Sequence, residues 1–317
     1  MRRILVALLL SSVAIAGIIH ISSDFVSPEE DTITYSGSVS VLVEEDNLSL
    51  RCATLTVNKK EGDWRDMEAE GEVFIKTEDI EAMSEKLKYD VKEKEGSLIG
   101  NATAYLPESE STVMSDSISF DLDEKLYWSK ERSTFMKGEV VATSNEFTYD
   151  GSKVNFKGDF VAVKGKHEIF GSEAELDLDE DFMIVKSGAR IVTEEATVDG
   201  DELFFDMEKE GTVTGNVRAE VVRKDTRVRL ESKYLKFNTD EGRYEGWGGR
   251  VKMWKGRVYS EADRFVYEKE GGVVRLSGSV FIDDPEKGVK IWAEKVFIYL
   301  DEDRMEAFKA RTEIKME

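Results

Sequence analysis

Apolar and polar positions alternate with a period of two over most of the chain, and the segment 203–221 shows the unit most clearly. Leu203 and Phe205 alternate with less regular neighbours. The run Asp206 to Gly211 is rich in acids, and after Gly215-Asn216 the residues Val217, Ala219 and Val221 make an apolar face. Period two is the pattern of a strand with one buried side. The segment therefore predicts a strand, a turn and a second strand opened by Gly215. One hairpin cannot bury its apolar face alone, so it needs a stack of others.

The unit recurs. First-strand elements place Leu87 and Tyr89, Ile118 and Phe120, Phe147 and Tyr149, Leu176 and Leu178, Leu203 and Phe205, Leu235 and Phe237, Phe265 and Tyr267, and Phe297 and Tyr299 in one apolar row. Second-strand elements follow Gly37, Gly71, Gly100, Gly138, Gly158, Gly188, Gly249 and Gly278, and put Phe160, Val217, Val251, Met253, Val280 and Ile282 in another. The glycines are roughly 30 residues apart, inside the window of stacked arrays. Both rows are expected to face one interior. The second is often Ala (102, 104, 142, 162, 219) where the first is aromatic. That contrast fits large-against-small packing of a filled core, and it fits a groove with room for acyl chains.

No sustained helical period follows the first residues, although Thr77 to Asp90 carries a weak one (Ile80, Met83, Leu87) that predicts a single helical turn. The expectation is an all-β chain of about 18 to 20 short strands, far above the usual strand content. No linker rich in Pro, Gly or Ser interrupts the repeat, so 33–317 reads as one elongated domain. Ahead of it, Met1-Arg2-Arg3 precedes an uncharged apolar run from Ile4 to Ile21. Residues 1–22 are expected to be an apolar helix, either a membrane anchor or a cleaved signal segment, with 23–32 as a spacer.

Charge and candidate chemistry narrow the function. The formal net charge of the 317 residues is −22, which repels a phosphate backbone and argues against nucleic acid binding. Cys52 is the only cysteine, so no intrachain disulfide forms, and the two histidines that could partner a catalytic thiol are His20, in the leader, and His167, in an expected turn. The acidic runs at Asp177, Asp179 and Asp181, at Asp121 to Glu124 and at Asp301 to Asp303 lack the glycine and closing glutamate of a calcium loop and read as turn residues. No nucleophile, phosphate-binding loop or metal-spaced group stands out, so neither enzyme chemistry nor a cofactor is expected.

A strand ending in aromatic-Asp, a charged turn and then Gly-Asn is repeated behind an apolar leader. The best copies are Leu87-Lys88-Tyr89-Asp90 with Gly100-Asn101-Ala102, and Leu203-Phe204-Phe205-Asp206 with Gly215-Asn216-Val217. From Ile33 onward this resembles the OstA-like lipopolysaccharide-transport family. The resemblance implies a twisted, open two-sheet β-jelly roll in the periplasm, and a leader retained as an inner-membrane anchor fits a membrane-tethered member with extra repeats. It implies a non-enzymatic conduit for the acyl chains of lipopolysaccharide or a related envelope glycolipid, joined by edge strands to other β-jelly-roll transport proteins. The implied groove comprises Leu87, Tyr89, Ile118, Phe120, Phe147, Tyr149, Phe160, Leu203, Phe205, Val217, Leu235, Phe237, Val251, Met253, Phe265, Tyr267, Val280, Ile282, Phe297 and Tyr299. A structural or scaffold envelope protein whose stack is a packed spacer is the alternative.

Overall fold

A computed structural model of the chain describes residues 18–206 and 208–315. Every regular element among them is a strand: β1 (Ile19–Ser22), β2 (Phe25–Pro28), β3 (Thr32–Val43), β4 (Leu48–Lys60), β5 (Asp63–Lys76), β6 (Glu81–Asp90), β7 (Glu95–Leu106), β8 (Ser111–Asp121), β9 (Leu126–Ser129), β10 (Ser133–Lys137), β11 (Val140–Ser144), β12 (Glu146–Tyr149), β13 (Lys153–Lys164), β14 (His167–Asp177), β15 (Phe182–Val192), β16 (Ala196–Phe205), β17 (Glu210–Arg223), β18 (Thr226–Asn238), β19 (Arg243–Lys255), β20 (Val258–Glu268), β21 (Val273–Asp284), β22 (Val289–Tyr299), β23 (Arg304–Phe308) and β24 (Arg311–Ile314). They form one antiparallel 24-stranded sheet. Four pairs are halves of a single rung: β1 and β2 both lie on β3, β9 and β10 on β8, β11 and β12 on β13, and β23 and β24 on β22. Counted once each, these reduce the 24 strands to 20 rungs.

Most rungs break register near the middle. In β17 the break against β16 and β18 falls at Gly215-Asn216, between Thr214 and Val217 on the β18 side. Gly215 has φ +71° and Asn216 φ +48°, so two successive residues stand in the left-handed region, the backbone of a bulge that bends a strand. A Cβ on Gly215 would lie 2.2 Å from Asp201 Oδ2, and Asn216 Nδ2 donates to the same carboxylate at 3.0 Å. The same corner recurs at Gly37, Gly71, Gly100, Gly158 and Gly278, each followed by a residue of positive φ. The Gly-Asn signature therefore marks a corner inside a strand and not its start. Gly138 is different, being the turn between β10 and β11.

The corner decides the architecture. On β17, Val213 and Val217 lie on opposite sides of it and are each 1% exposed. Both halves of the sheet thus bury the same face, and no other layer exists among the described residues to cover them. The sheet folds over along the line of corners into two facing leaves, consistent with the jelly-roll expectation. Phe135 and Phe156, on opposite sides of that line, meet edge to face at 5.7 Å.

Other expectations are corrected. The helical turn expected within Thr77 to Asp90 is a tight turn, with Thr77 N–H donating to Ile80 O at 2.9 Å, followed by β6. Residues 1–17 of the expected apolar helix lie outside the described residues, and its expected end is strand. Ile21 pairs with Val41 and its neighbours alternate around it, so the sheet begins at Ile19 and not at Ile33. The expected spacer contains β2. Among the described residues no helix is long and apolar enough to cross a membrane.

Gly188 tests the corner from the other side, because it has φ +86° but an open space where a Cβ would sit. Gly188→Ala should cost about 1 kcal/mol through φ alone, whereas Gly215→Ala should cost roughly 1–2 kcal/mol more through the contact with Asp201. Urea unfolding midpoints of the two variants check this; equal losses would show that the Asp201 contact is not what fixes the corner.

Candidate functional site: the apolar interior and its rim

Cross-strand registers carry a single row of side chains along the first leaf without a break. It runs Ile33, Val57, Met67, Tyr89, Gly96, Phe120, Tyr127, Tyr149, Val154, Leu176, Met183, Phe205, Gly211, Phe237, Tyr244, Tyr267, Val274, Ile298. Aromatic rings follow one another along it: Tyr89, Phe120, Tyr127 and Tyr149 at centroid spacings of 5.9, 6.4 and 5.9 Å, then Phe205, Phe237, Tyr244 and Tyr267 at 6.1, 6.4 and 6.0 Å. Gly96 and Gly211 make room for this. A Cβ there would meet the ring of Phe120 at 2.3 Å or of Phe237 at 2.2 Å, so each glycine lets rings from the flanking strands close over it.

The second leaf has a matching row, Val41, Leu50, Ile75, Ala82, Ala104, Val113, Phe135, Ala142, Ala162, Ile169, Ile191, Val198, Ala219, Leu230, Met253. Its alanines belong to the opposite leaf from the aromatic row, which satisfies large-against-small packing. The two rows form one continuous apolar cluster.

The Asp of the aromatic-Asp signature has a separate task. Asp177 Oδ1 accepts the backbone N–H groups of Asp179 and Glu180 at 3.1 and 3.0 Å, and Asp90, Asp121, Asp150 and Asp206 do the same in their own turns. These carboxylates hold turns. Cys52 is buried on β4, and burial pushes its thiol up to about 11.

The free rims of the two leaves are joined by polar contacts between turns distant in sequence. Tyr89 Oη donates to Asp46, and Lys94 Nζ lies 3.4 Å from the same carboxylate. Lys125 reaches Asp79 at 3.2 Å, Lys137 reaches Asp181, Lys164 Nζ donates to Glu208 O at 2.9 Å, and Lys255 reaches Asp303. Tyr244 Oη meets Thr193 Oγ1 at 3.2 Å and Tyr267 Oη donates to Glu195 at 3.0 Å. Arg223 forks onto Asp301 at 2.8 and 2.9 Å and also donates to Lys269 O. The interior row therefore ends at the rim in phenols and salt bridges, apolar inside and wet outside. The Arg223 guanidinium, with Lys224 beside it, pulls the Asp301 carboxyl down to about 2.

One family model matches most of the chain. The model described as "LptA/(LptD N-terminal domain) LPS transport protein" covers residues 20–126 and 139–304. The chain belongs to this family. Its members are lipopolysaccharide-transport components, and the break in the match coincides with the split strands β9 and β10. Among solved structures, one similar to this chain is that of LptH, the "LptA homologous periplasmic component of the conserved lipopolysaccharide transport device from Pseudomonas aeruginosa". It shares 10% identity with a TM-score of 0.35, over 37% of this chain and 94% of that one. No curated protein matches the chain.

Of the groove residues expected from sequence, eighteen point into the interior, and all of those are at most 4% exposed. Phe297 and Tyr299 do not. On β22 the inward pair is Val296 and Ile298, opposite Leu276 and Val274. Phe297 packs outside on Phe308 at 5.6 Å, and Arg304 lies over the Tyr299 ring at 4.0 Å. Sequence reasoning also missed Met67, Tyr127, Phe135, Phe156, Met183 and Tyr244, which line the same interior. These sit on the halves between the two recognised motifs, and the alternation Tyr244/Gly246 was the signal there.

A carboxylate whose folded value is depressed stabilises the fold above its ordinary value and loses that contribution as pH falls through the folded one. For Asp301 that window lies between 3.8 and about 2. The stability contributed by the Arg223–Asp301 closure should thus be fully present above a pH of about 4 and be lost progressively as the pH falls toward about 2. Carbon-detected NMR titration should find Asp301 low in the native chain and nearer its ordinary value in Arg223→Gln; an unmoved titration would mean that Lys224 alone sets it.

Proposed function

We propose that the chain is a periplasmic conduit that holds the acyl chains of lipopolysaccharide or a related envelope glycolipid between its leaves and passes them toward the outer membrane. The observation that supports this most is the apolar row shared by all rungs from Ile33 to Ile298. An acyl chain in water exposes about 0.8 kcal/mol per methylene, so a lipid crossing an aqueous space needs such a lining throughout. The family's transport role points the same way, and we read the protein as non-enzymatic.

The ends suit assembly with neighbours. At one edge β2 leaves Phe25 and Val26 exposed at 73% and 55%; at the other, Phe308 and Ile314 are exposed at 50% and 66%. Each edge strand has an unpaired side, and strand addition by another β-jelly-roll transport protein would satisfy it. The leader would tether the chain to the inner membrane, the end of that tether being no later than Ile18. A packed spacer is the second reading, favoured by the near-complete burial of the interior; lipid binding on the proposed reading requires the leaves to part.

Phe204 and Phe205 separate the two. They are adjacent on β16, with Phe205 inside and Phe204 outside against Phe182 at 6.3 Å. A photo-crosslinking phenylalanine analogue at 205, but not at 204, should form adducts with lipopolysaccharide. Equal labelling, or none at 205 in a folded protein, favours the spacer.

A further inference from the structure

The rim contacts leave one interval open. On the side nearer the N-terminus the turn before β6 is held to the turn after β8 by Asp79 and Lys125, 46 residues apart. On the other side Lys137, at the end of β10, is held to Asp181, 44 residues on. Between these lies the second-leaf turn Pro107 to Glu110, and the same offset sets it opposite the first-leaf turn Asp150 to Ser152. Among the described residues no hydrogen bond or salt bridge joins the two. Asp150 is used within its own turn, and the hydroxyl of Ser109 is buried without a partner.

The charges across this interval are alike. After burial itself, the groups that push the Tyr149 phenol up to about 12 are Glu108, Asp79, Asp150 and Asp179, all acids and drawn from both leaves. Lys125 feels Glu108, but it is bonded to Asp79. Like charges at a rim oppose its closure. The backbone is also interrupted here, since the two split rungs that lie away from the sheet's edges, β9 with β10 and β11 with β12, are at this level. Ser129, Ser133 and Ser144 replace apolar side chains at their breaks, all of them buried. Few continuous strands and few closing contacts mark a place of low local stability.

We propose that the interval between turns 107–110 and 150–152 is the lateral opening through which a glycolipid acyl chain enters and leaves the interior. This rests on the lipid-carrier reading above. An acyl chain is uncharged, so the carboxylates weaken the closure without opposing its passage. Tyr149 stands just inside, at the end of the aromatic run from Tyr89, and the apolar row continues past it through Val154 and Leu176.

Two experiments keep the opening and the lipid reading apart. The first needs no lipid: Tyr149→Cys and Phe237→Cys place a thiol in the same row, at the opening and in a closed stretch. Cys52 is buried and slow to react. Maleimide should modify the cysteine at 149 about tenfold faster or more, as local opening predicts; equal rates overturn the opening. The second links Glu108→Cys with Ser152→Cys, or Asp79→Cys with Lys125→Cys, by a reductant-cleavable bis-thiosulfonate. Uptake of fluorescent lipopolysaccharide should fall about tenfold or more with the first link and recover on reduction, and change less than about twofold with the second. The reverse order, or equal effects, overturns the proposal. If the thiol contrast holds but the native chain takes up no lipopolysaccharide, the opening stands and the lipid reading falls.

Discussion

Everything in this fold depends on a single apolar face that has no partner but itself. A flat antiparallel sheet of twenty rungs would leave that face in water over its full length. Folding along the line of mid-strand corners removes it, and because each rung crosses the corner, each contributes to both leaves. The corner is therefore not a local detail. Two consecutive left-handed residues bend alternate rungs at this line, as at Gly215, which tolerates the close approach of the Asp201 side chain, and the rungs between follow them through the shared registers. The Asn that follows donates to the same carboxylate, so the bend is also held from outside.

That constraint explains which parts of the chain were readable. Alternation made Tyr89, Phe120, Phe205 and Phe237 plain as inward residues, and the glycine spacing gave the rung pairs. The corner itself was visible as Gly-Asn but was taken for the start of a strand, because a bulge and a turn use the same left-handed residues. Val296 to Leu300 is apolar at each position, so period two has no phase there, and a slip of one residue sends Phe297 and Tyr299 to the wrong face. The run from Ile4 to Ile21 concealed β1 in the same way. The rim was not legible at all: its partners lie 43 to 51 residues apart or more, and with 66 acidic residues no pairing rule could select Asp46, Asp79 or Asp301.

The rim also changes what closure means. An exposed salt bridge contributes roughly 0–1 kcal/mol, and the rim contacts are mostly of that kind, each a lysine or arginine reaching one carboxylate. The tyrosines are stronger anchors because their rings are already fixed by neighbours in the aromatic row. The leaves are thus held by one strong element, the shared interior, and many weak ones along the rim.

These magnitudes bear on whether a closed interior is compatible with carrying lipid. Parting the leaves in water exposes both apolar rows, which is costly, but parting them around an acyl chain exchanges one apolar contact for another. The net cost is then mainly the rim contacts broken, a few kcal/mol over several pairs. Withdrawing a chain of about a dozen methylenes from water gains roughly 10 kcal/mol. The balance favours opening only when lipid is at hand. A conduit that closed through buried, fully paired charges would not open on those terms, and one with no rim contacts would expose its interior to every apolar surface in the envelope.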